Sequence, residues 1–238
     1  MEILVIATLR EFGQKNLSRP ILRNIILIYF LFILLVNVLR DSIQGVETNL
    51  LTLMITSGLV LAWGRVQYEK GFQILARAVG TLRYRVAGLE CMIAGRGTYL
   101  PELQSQIDIA GVGDLIELPG FLSDNQLRAA IHRAGCVVIP SLYEPFGVVV
   151  LEALAGGAPL IVADTGGLAE LVGGTGSALT FEPGNSDDLA NCIERVLTEV
   201  GIADDLSRRG HELLEASYSW DAIAARTVTV YDELRHER

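Results

Sequence analysis

The chain has no surplus of positive charge to offer a nucleic acid. Its 238 residues carry 19 Lys and Arg against 28 Asp and Glu, a net charge of −9, which argues against a polyanion as the main partner. Any phosphate it holds must therefore meet a local cationic patch. Cysteine is scarce. Cys91, Cys136 and Cys192 are odd in number and far apart, which excludes a disulfide framework and reads as reduced core residues of a cytosolic domain. The histidines, His132, His211 and His236, sit in polar helical stretches without metal-ligand spacing. There is no Ser-His-Asp set, no P-loop, and no Gly-x-Gly-x-x-Gly after the first strand, which weighs against nicotinamide and flavin chemistry. No small-residue cleavage site marks a removed signal peptide.

A long apolar run is also missing, though narrowly. Residues 25–39 are nearly all apolar, short of the ~20 that a membrane-crossing helix needs, and extension back to Ile21 takes in Arg23 and Asn24. Residues 1–58 are unlike the rest of the chain, and three readings stay open for them: a membrane anchor or hairpin through residues 21–39, a buried helix of a partial domain, or foreign sequence joined to a truncated gene. Arg19 and Arg23 before the run give the N-terminus a weak cytoplasmic preference.

From residue 59 onward the pattern becomes regular. Short apolar runs at Leu59–Trp63, Leu89–Ala94, Leu115–Leu118, Cys136–Ile139, Leu160–Ala163 and Ala178–Phe181 read as buried strands. Helical periods lie between them, over Phe72–Val86, Tyr99–Ala110, Asp124–Ala134 and Val148–Ala155. A short helix follows residue 167, and helices at about 186–200, 203–215 and 219–236 close the chain. All-apolar strands alternating with helices predict a parallel sheet covered on both faces. The fold class is α/β: a single doubly wound, Rossmann-like sheet over residues 59–238, preceded by the hydrophobic segment 1–58. In such a sheet the ligand lies at the carboxyl ends of the strands. The glycine-containing loops at 64–71, 95–97, 119–120, 140–147 and 164–167 all follow strands, so they face one crevice.

The densest of these loops runs from Pro140 to Gly157. It reads as strand, loop, then helix, broken at Pro140, Pro145 and Gly147. The helix start leaves free N–H groups and a positive dipole end that suit a phosphate. Glu144 and Glu152 flank it, eight residues apart. On spacing alone they serve equally as ligands for two sets of hydroxyls, or as a surface carboxylate and one favouring the helix dipole. Arg65 and Lys70 in the first loop offer the missing positive charge, or else form an ordinary surface pair, with Glu69 as a partner. Arg96 between two glycines faces the crevice or solvent.

Taken together, Gly64-Arg65 with Lys70-Gly71, Ile93-Ala94-Gly95-Arg96-Gly97, Leu118-Pro119-Gly120-Phe121, Pro140-Ser141, Glu144-Pro145-Phe146-Gly147 and Leu151-Glu152-Ala153 resemble the C-terminal, donor-binding domain of family 4 retaining glycosyltransferases of the GT-B fold. The resemblance spans about Leu59 to Leu234, with a flavour of bacterial α-glucan-forming enzymes. It implies a hexosyltransferase using a UDP-, ADP- or GDP-hexose donor, glucose among the candidate sugars, and a glycan or glucan acceptor, without a metal or other cofactor. Arg65 and Lys70 would bind the diphosphate and Glu144 the sugar hydroxyls. Gly64, Pro145, Phe146, Gly147 and Val148 would line sugar and phosphate. Glu152 would hold the ribose, and Gly95, Arg96, Gly120, Phe121 and Leu122 would flank the base. The acceptor-binding half of such enzymes has no counterpart here. The expectation is a chain that binds a nucleotide sugar, transfers poorly alone, and works with a separate acceptor-domain chain. The alternative is a non-catalytic nucleotide-sugar-binding module. Either would be cytoplasmic, with membrane association through residues 21–39 as an open addition.

Overall fold

The computed structural model describes residues 58–236. Six strands form one parallel sheet: β1 (Leu59–Trp63), β2 (Glu90–Ala94), β3 (Ile116–Gly120), β4 (Cys136–Ile139), β5 (Leu160–Ala163) and β6 (Leu179–Phe181). Their order across the sheet is β3-β2-β1-β4-β5-β6, that of a doubly wound nucleotide-binding fold. Chain direction reverses its spread between β1 and β4, which pair through Val60 with Cys136 and Leu61 with Val137. A crevice opens at such a switch point, beyond the carboxyl ends of the strands.

The central strands are aliphatic because both of their faces are covered. Every residue of β4 and β5 is buried, as are the first four of β1. Among the described residues eight helices connect and cover them: α1 (Phe72–Leu82), α2 (Leu100–Ala110), α3 (Asp124–Arg133), α4 (Val148–Ala155), α5 (Gly166–Val172), α6 (Ser186–Thr198), α7 (Ile202–Leu213) and α8 (Trp220–His236). Helix α1 buries Phe72, Leu75, Ala76, Val79 and Leu82 on a helical stripe and packs against α2 and α6. The Asn185 side chain caps α6 by accepting from the Asp187 and Asp188 amides.

Several boundaries differ from the sequence reading, most by a residue or two, and three of the differences have a visible cause. Helix α1 stops at Leu82 rather than Val86: the Arg85 and Val86 amides both turn back to the Leu82 carbonyl, while Arg83 is drawn to the Gly111 carbonyl and Asp114. Pro119 and Gly120 belong to β3 rather than to a loop after it. The strand lies at the sheet edge, where a missing proline N–H costs no ladder bond, and Gly120 pairs with Ala94. The last two helices are separated by a wide turn of π geometry, Leu214–Tyr218, so α7 ends at Leu213 and not at residue 215.

None of the described helices is long and apolar enough to cross a membrane. The expectation of an anchor through residues 21–39, like the other readings of residues 1–57, lies outside the described residues. The three cysteines are free and buried, and burial pushes the Cys91 thiol up to about 12 and the Cys136 thiol up as well. The expected outcome with a thiol reagent at pH 8 is negligible labelling of the native protein over minutes and labelling of all three cysteines in guanidinium. Native labelling at the rate of a free thiol would contradict this core. Leu61 is fully buried in β1. Its replacement by alanine should lower stability by about 3–4 kcal/mol in a denaturant titration.

Candidate nucleotide-sugar site

The site is built from loops pressed together at the carboxyl ends of β1, β2 and β4. The loops after β1 and β2 are joined backbone to backbone: Gly64 N–H donates to the Ala94 carbonyl at 3.0 Å, and Val66 N–H to the Arg96 carbonyl at 2.9 Å. A side chain at position 95 would put its Cβ 1.8 Å from the Gly64 oxygen, and one at position 97 would put it 1.9 Å from the Val66 oxygen. Only glycine permits this approach. Gly95 N–H in turn donates to Gly120, which ties the end of β3 to the same cluster.

A single 3-10 turn, Tyr68–Lys70, carries the lysine. Gly71 ends it in the left-handed region, at φ 70°, and a Cβ there would lie 1.8 Å from the Pro140 carbonyl. The Glu69 carbonyl accepts from the Leu142 and Tyr143 amides, and the Gln73 amide group donates to the Tyr68 carbonyl at 3.1 Å. These bonds lash the turn to the loop after β4. Lys70 Nζ consequently reaches Glu144 Oε2 at 2.5 Å. Glu144 is 8% exposed, and Ser141 Oγ stands 3.4 Å from the same oxygen. The lysine of the predicted cationic pair is thus engaged with Glu144 and not with Glu69. Arg65 is exposed and makes no ion pair among the described residues.

Glu144 is fixed from the other side too. Its carbonyl accepts from Gly167 N–H at 2.8 Å, and a Cβ at Gly166 would lie 2.6 Å from it. The loop 144–147 therefore rests on the start of α5. Gly147, at φ 71°, is the residue before α4, whose first amides have no partner one turn back. Pro145, Phe146 and Val148 are exposed around that helix start. Glu152, in the second turn of α4, accepts from the Trp63 indole at 3.1 Å.

Beside this assembly lies a cavity of about 370 Å³, lined by Trp63, Gly64, Arg65, Ala94, Gly95, Arg96, Phe121, Leu122 and Leu127. The Arg96 guanidinium lies 5.8 Å from the Phe121 ring centroid. The structure thus gathers Gly64, Arg65, Gly95, Arg96, Phe121 and Leu122 into one wall. It joins Lys70 to Glu144 next to that wall, and links Glu152 to it through Trp63. Lys70, Glu144 and residues 145–148 are not part of the cavity lining. Sequence reasoning passed over Trp63 as the last residue of a strand. The available signal was its place, an aromatic residue directly before the Gly64-Arg65 loop. Ser141 was among the motif residues, with Pro140, but without an assigned role. Among the described residues no group of His, Cys, Asp and Glu is placed to hold a metal ion.

Sheet order and loop placement define a Rossmann-like α/β domain of GT-B type. The chain belongs to the family described as glycosyl transferases group 1, whose model matches residues 55–213. It is 36% identical over 176 residues to an uncharacterized glycosyltransferase of Methanocaldococcus jannaschii, covering 73% of this chain and 44% of that protein. It is 35% identical over 168 residues to the glycogen synthase of Mycobacterium tuberculosis, covering 71% of this chain and 41% of that enzyme. The structure of the Anabaena protein HepE in complex with UDP-glucose superposes with a TM-score of 0.63 at 25% identity, covering 82% of this chain and 52% of that one. The chain spans less than half the length of the two sequence relatives.

Lys70→Met would leave the Glu144 carboxylate buried beside Ser141 without a cation. The expected loss is about 1–3 kcal/mol, read as a lowered denaturation midpoint, with part of it recovered by adding Glu144→Gln. An unchanged midpoint in Lys70→Met would show that the pair contributes nothing to the fold.

Proposed function

We propose that residues 59–238 are the donor-binding domain of a family 4, retaining glycosyltransferase that takes a hexose, glucose foremost, from a nucleoside diphosphate sugar to a glycan acceptor. The observation that carries this reading is the half-buried Lys70–Glu144 pair at 2.5 Å, set between the amino end of α4 and a cavity walled by Arg65, Arg96 and Phe121. One carboxylate, Glu144, and three cations, Lys70, Arg65 and Arg96, would then be at hand for a sugar diphosphate. The UDP-glucose in the HepE structure supports the choice of a UDP-glucose donor, and the glycogen synthase relative that of a glucan acceptor.

In this reading the diphosphate lies against Arg65, Lys70 and the free amides at Gly147 and Val148. The sugar C1–oxygen bond breaks, and the nucleoside diphosphate leaves with the electron pair. The two cations and the helix dipole stabilise its growing charge, the work that a metal ion does in other transferases. An acceptor hydroxyl forms the new bond at C1 on the face the nucleotide leaves and passes its proton to the oxygen of the departing diphosphate. Glu144 accepts hydrogen bonds from the sugar hydroxyls while Lys70 holds its carboxylate in place. Glu152 accepts from the ribose, and the base lies between the Gly95–Gly97 loop and Phe121-Leu122. The acceptor is held by a partner domain or chain opposite this crevice. Since sugar nucleotides are cytoplasmic metabolites, the domain works in the cytoplasm.

The test is a thermal-shift panel of UDP, ADP, GDP and their glucose conjugates. One-site binding at a ligand concentration 100 times Kd stabilises by about 2.7 kcal/mol, which is several degrees for a domain of this size. We expect one nucleotide series to give that shift, and Arg65→Ala/Lys70→Ala, compared with its own ligand-free midpoint, to abolish it. No shift with any nucleotide would remove the donor site. A shift that survives the double substitution would remove the phosphate roles.

A further inference from the structure

We propose that Trp63 is a positioning residue for the donor, holding the Glu152 carboxylate through its indole N–H while its ring forms part of the cavity wall. This rests on the reading of the crevice as a nucleoside diphosphate site.

Trp63 ends β1, the strand at the switch point. The four residues before it are buried aliphatics, whereas Trp63 is half-buried and opens onto the cavity. Its Nε1–H donates to Glu152 Oε2 at 3.1 Å, across 89 residues of chain. The bond bridges the end of β1 to the second turn of α4. Glu152 is exposed and makes no other side-chain hydrogen bond among the described residues. A free glutamate on a helix surface samples many rotamers, and fixing it on binding costs affinity. The indole removes that cost before the ligand arrives. An indole nitrogen is a donor only, so it orients the carboxylate without competing for a ligand hydroxyl's proton. One carboxylate oxygen is held, and the second remains free to accept from a diol.

The test uses the full chain and compares UDP, which carries a ribose, with inorganic pyrophosphate, which does not. Trp63→Phe keeps an aromatic wall and deletes the N–H. We expect it to weaken UDP binding about fivefold and to leave pyrophosphate binding unchanged. In a Glu152→Ala background the same substitution should have no further effect on UDP. Equal weakening of UDP and pyrophosphate, or independent effects of the two substitutions, would overturn the proposal. Failure of the unmodified chain to bind UDP, ADP and GDP alike would remove the donor site and this inference with it, whereas UDP affinity unaltered by Trp63→Phe would remove the inference alone. Should Trp63→Phe not fold, the fluorescence of the chain carries the test. Its two tryptophans are Trp63 and the exposed Trp220, so Trp220→Phe leaves Trp63 as the reporter. UDP should quench that emission, and Glu152→Ala should diminish the quench. Emission unmoved by UDP would overturn the proposal.

Discussion

The site depends on how closely backbone can approach backbone at the carboxyl ends of the strands. Gly71 against Pro140, Gly95 against Gly64, Gly97 against Val66 and Gly166 against Glu144 are each too close for any Cβ. These contacts replace the water that loop amides would otherwise bind, and they hold four loops as one rim. The Lys70–Glu144 pair is a consequence. A lysine on a free loop would lose much entropy in reaching a carboxylate. Here the turn that carries it is already fixed by Gly71, by the Glu69 carbonyl and by Gln73, so the pair forms at little further cost.

The acidic balance of the whole chain sharpens what that rim must do. With a net charge of −9, the general field repels an anionic ligand. Attraction has to come from short range, where Arg65, Arg96, Lys70 and the amino end of α4 act at a few ångströms and screening is weak. Pairing Lys70 with Glu144 tunes this patch, leaving Arg65 as the exposed cation of the first loop. Large apolar side chains are exposed at the same end of the sheet: Phe121, Tyr143 and Phe146 on loops, Tyr68 on the 3-10 turn and Val148 at the start of α4.

Much of the framework was legible before any coordinates. The bounds of β4, β5 and α4 follow from apolar runs cut by Pro140, Gly147 and Gly156, because buried parallel strands are short and uniformly apolar and because glycine and proline punctuate them. The edge was less legible. Pro119-Gly120 has turn chemistry, yet an edge strand tolerates it, and no sequence pattern says which strand is the edge. The end of α1 was misplaced for a similar reason. Its periodicity runs on past Leu82, but Arg83 is recruited by Gly111 and Asp114, residues whose proximity arises only from packing of α1 on α2.

Local chemistry of the chain by itself determined the α/β class, the strand-to-helix junction at Gly147 and the residue types that crowd the crevice, since each follows from neighbours within a few positions. Tertiary structure alone decided who partners whom. Lys70 meets Glu144 across 74 residues and Trp63 meets Glu152 across 89. Those encounters are set by the strand order, which puts β1 beside β4, and by glycines that let loops close on one another. Sequence spacing carries no information about either distance, because the parallel crossover between the partners fixes it.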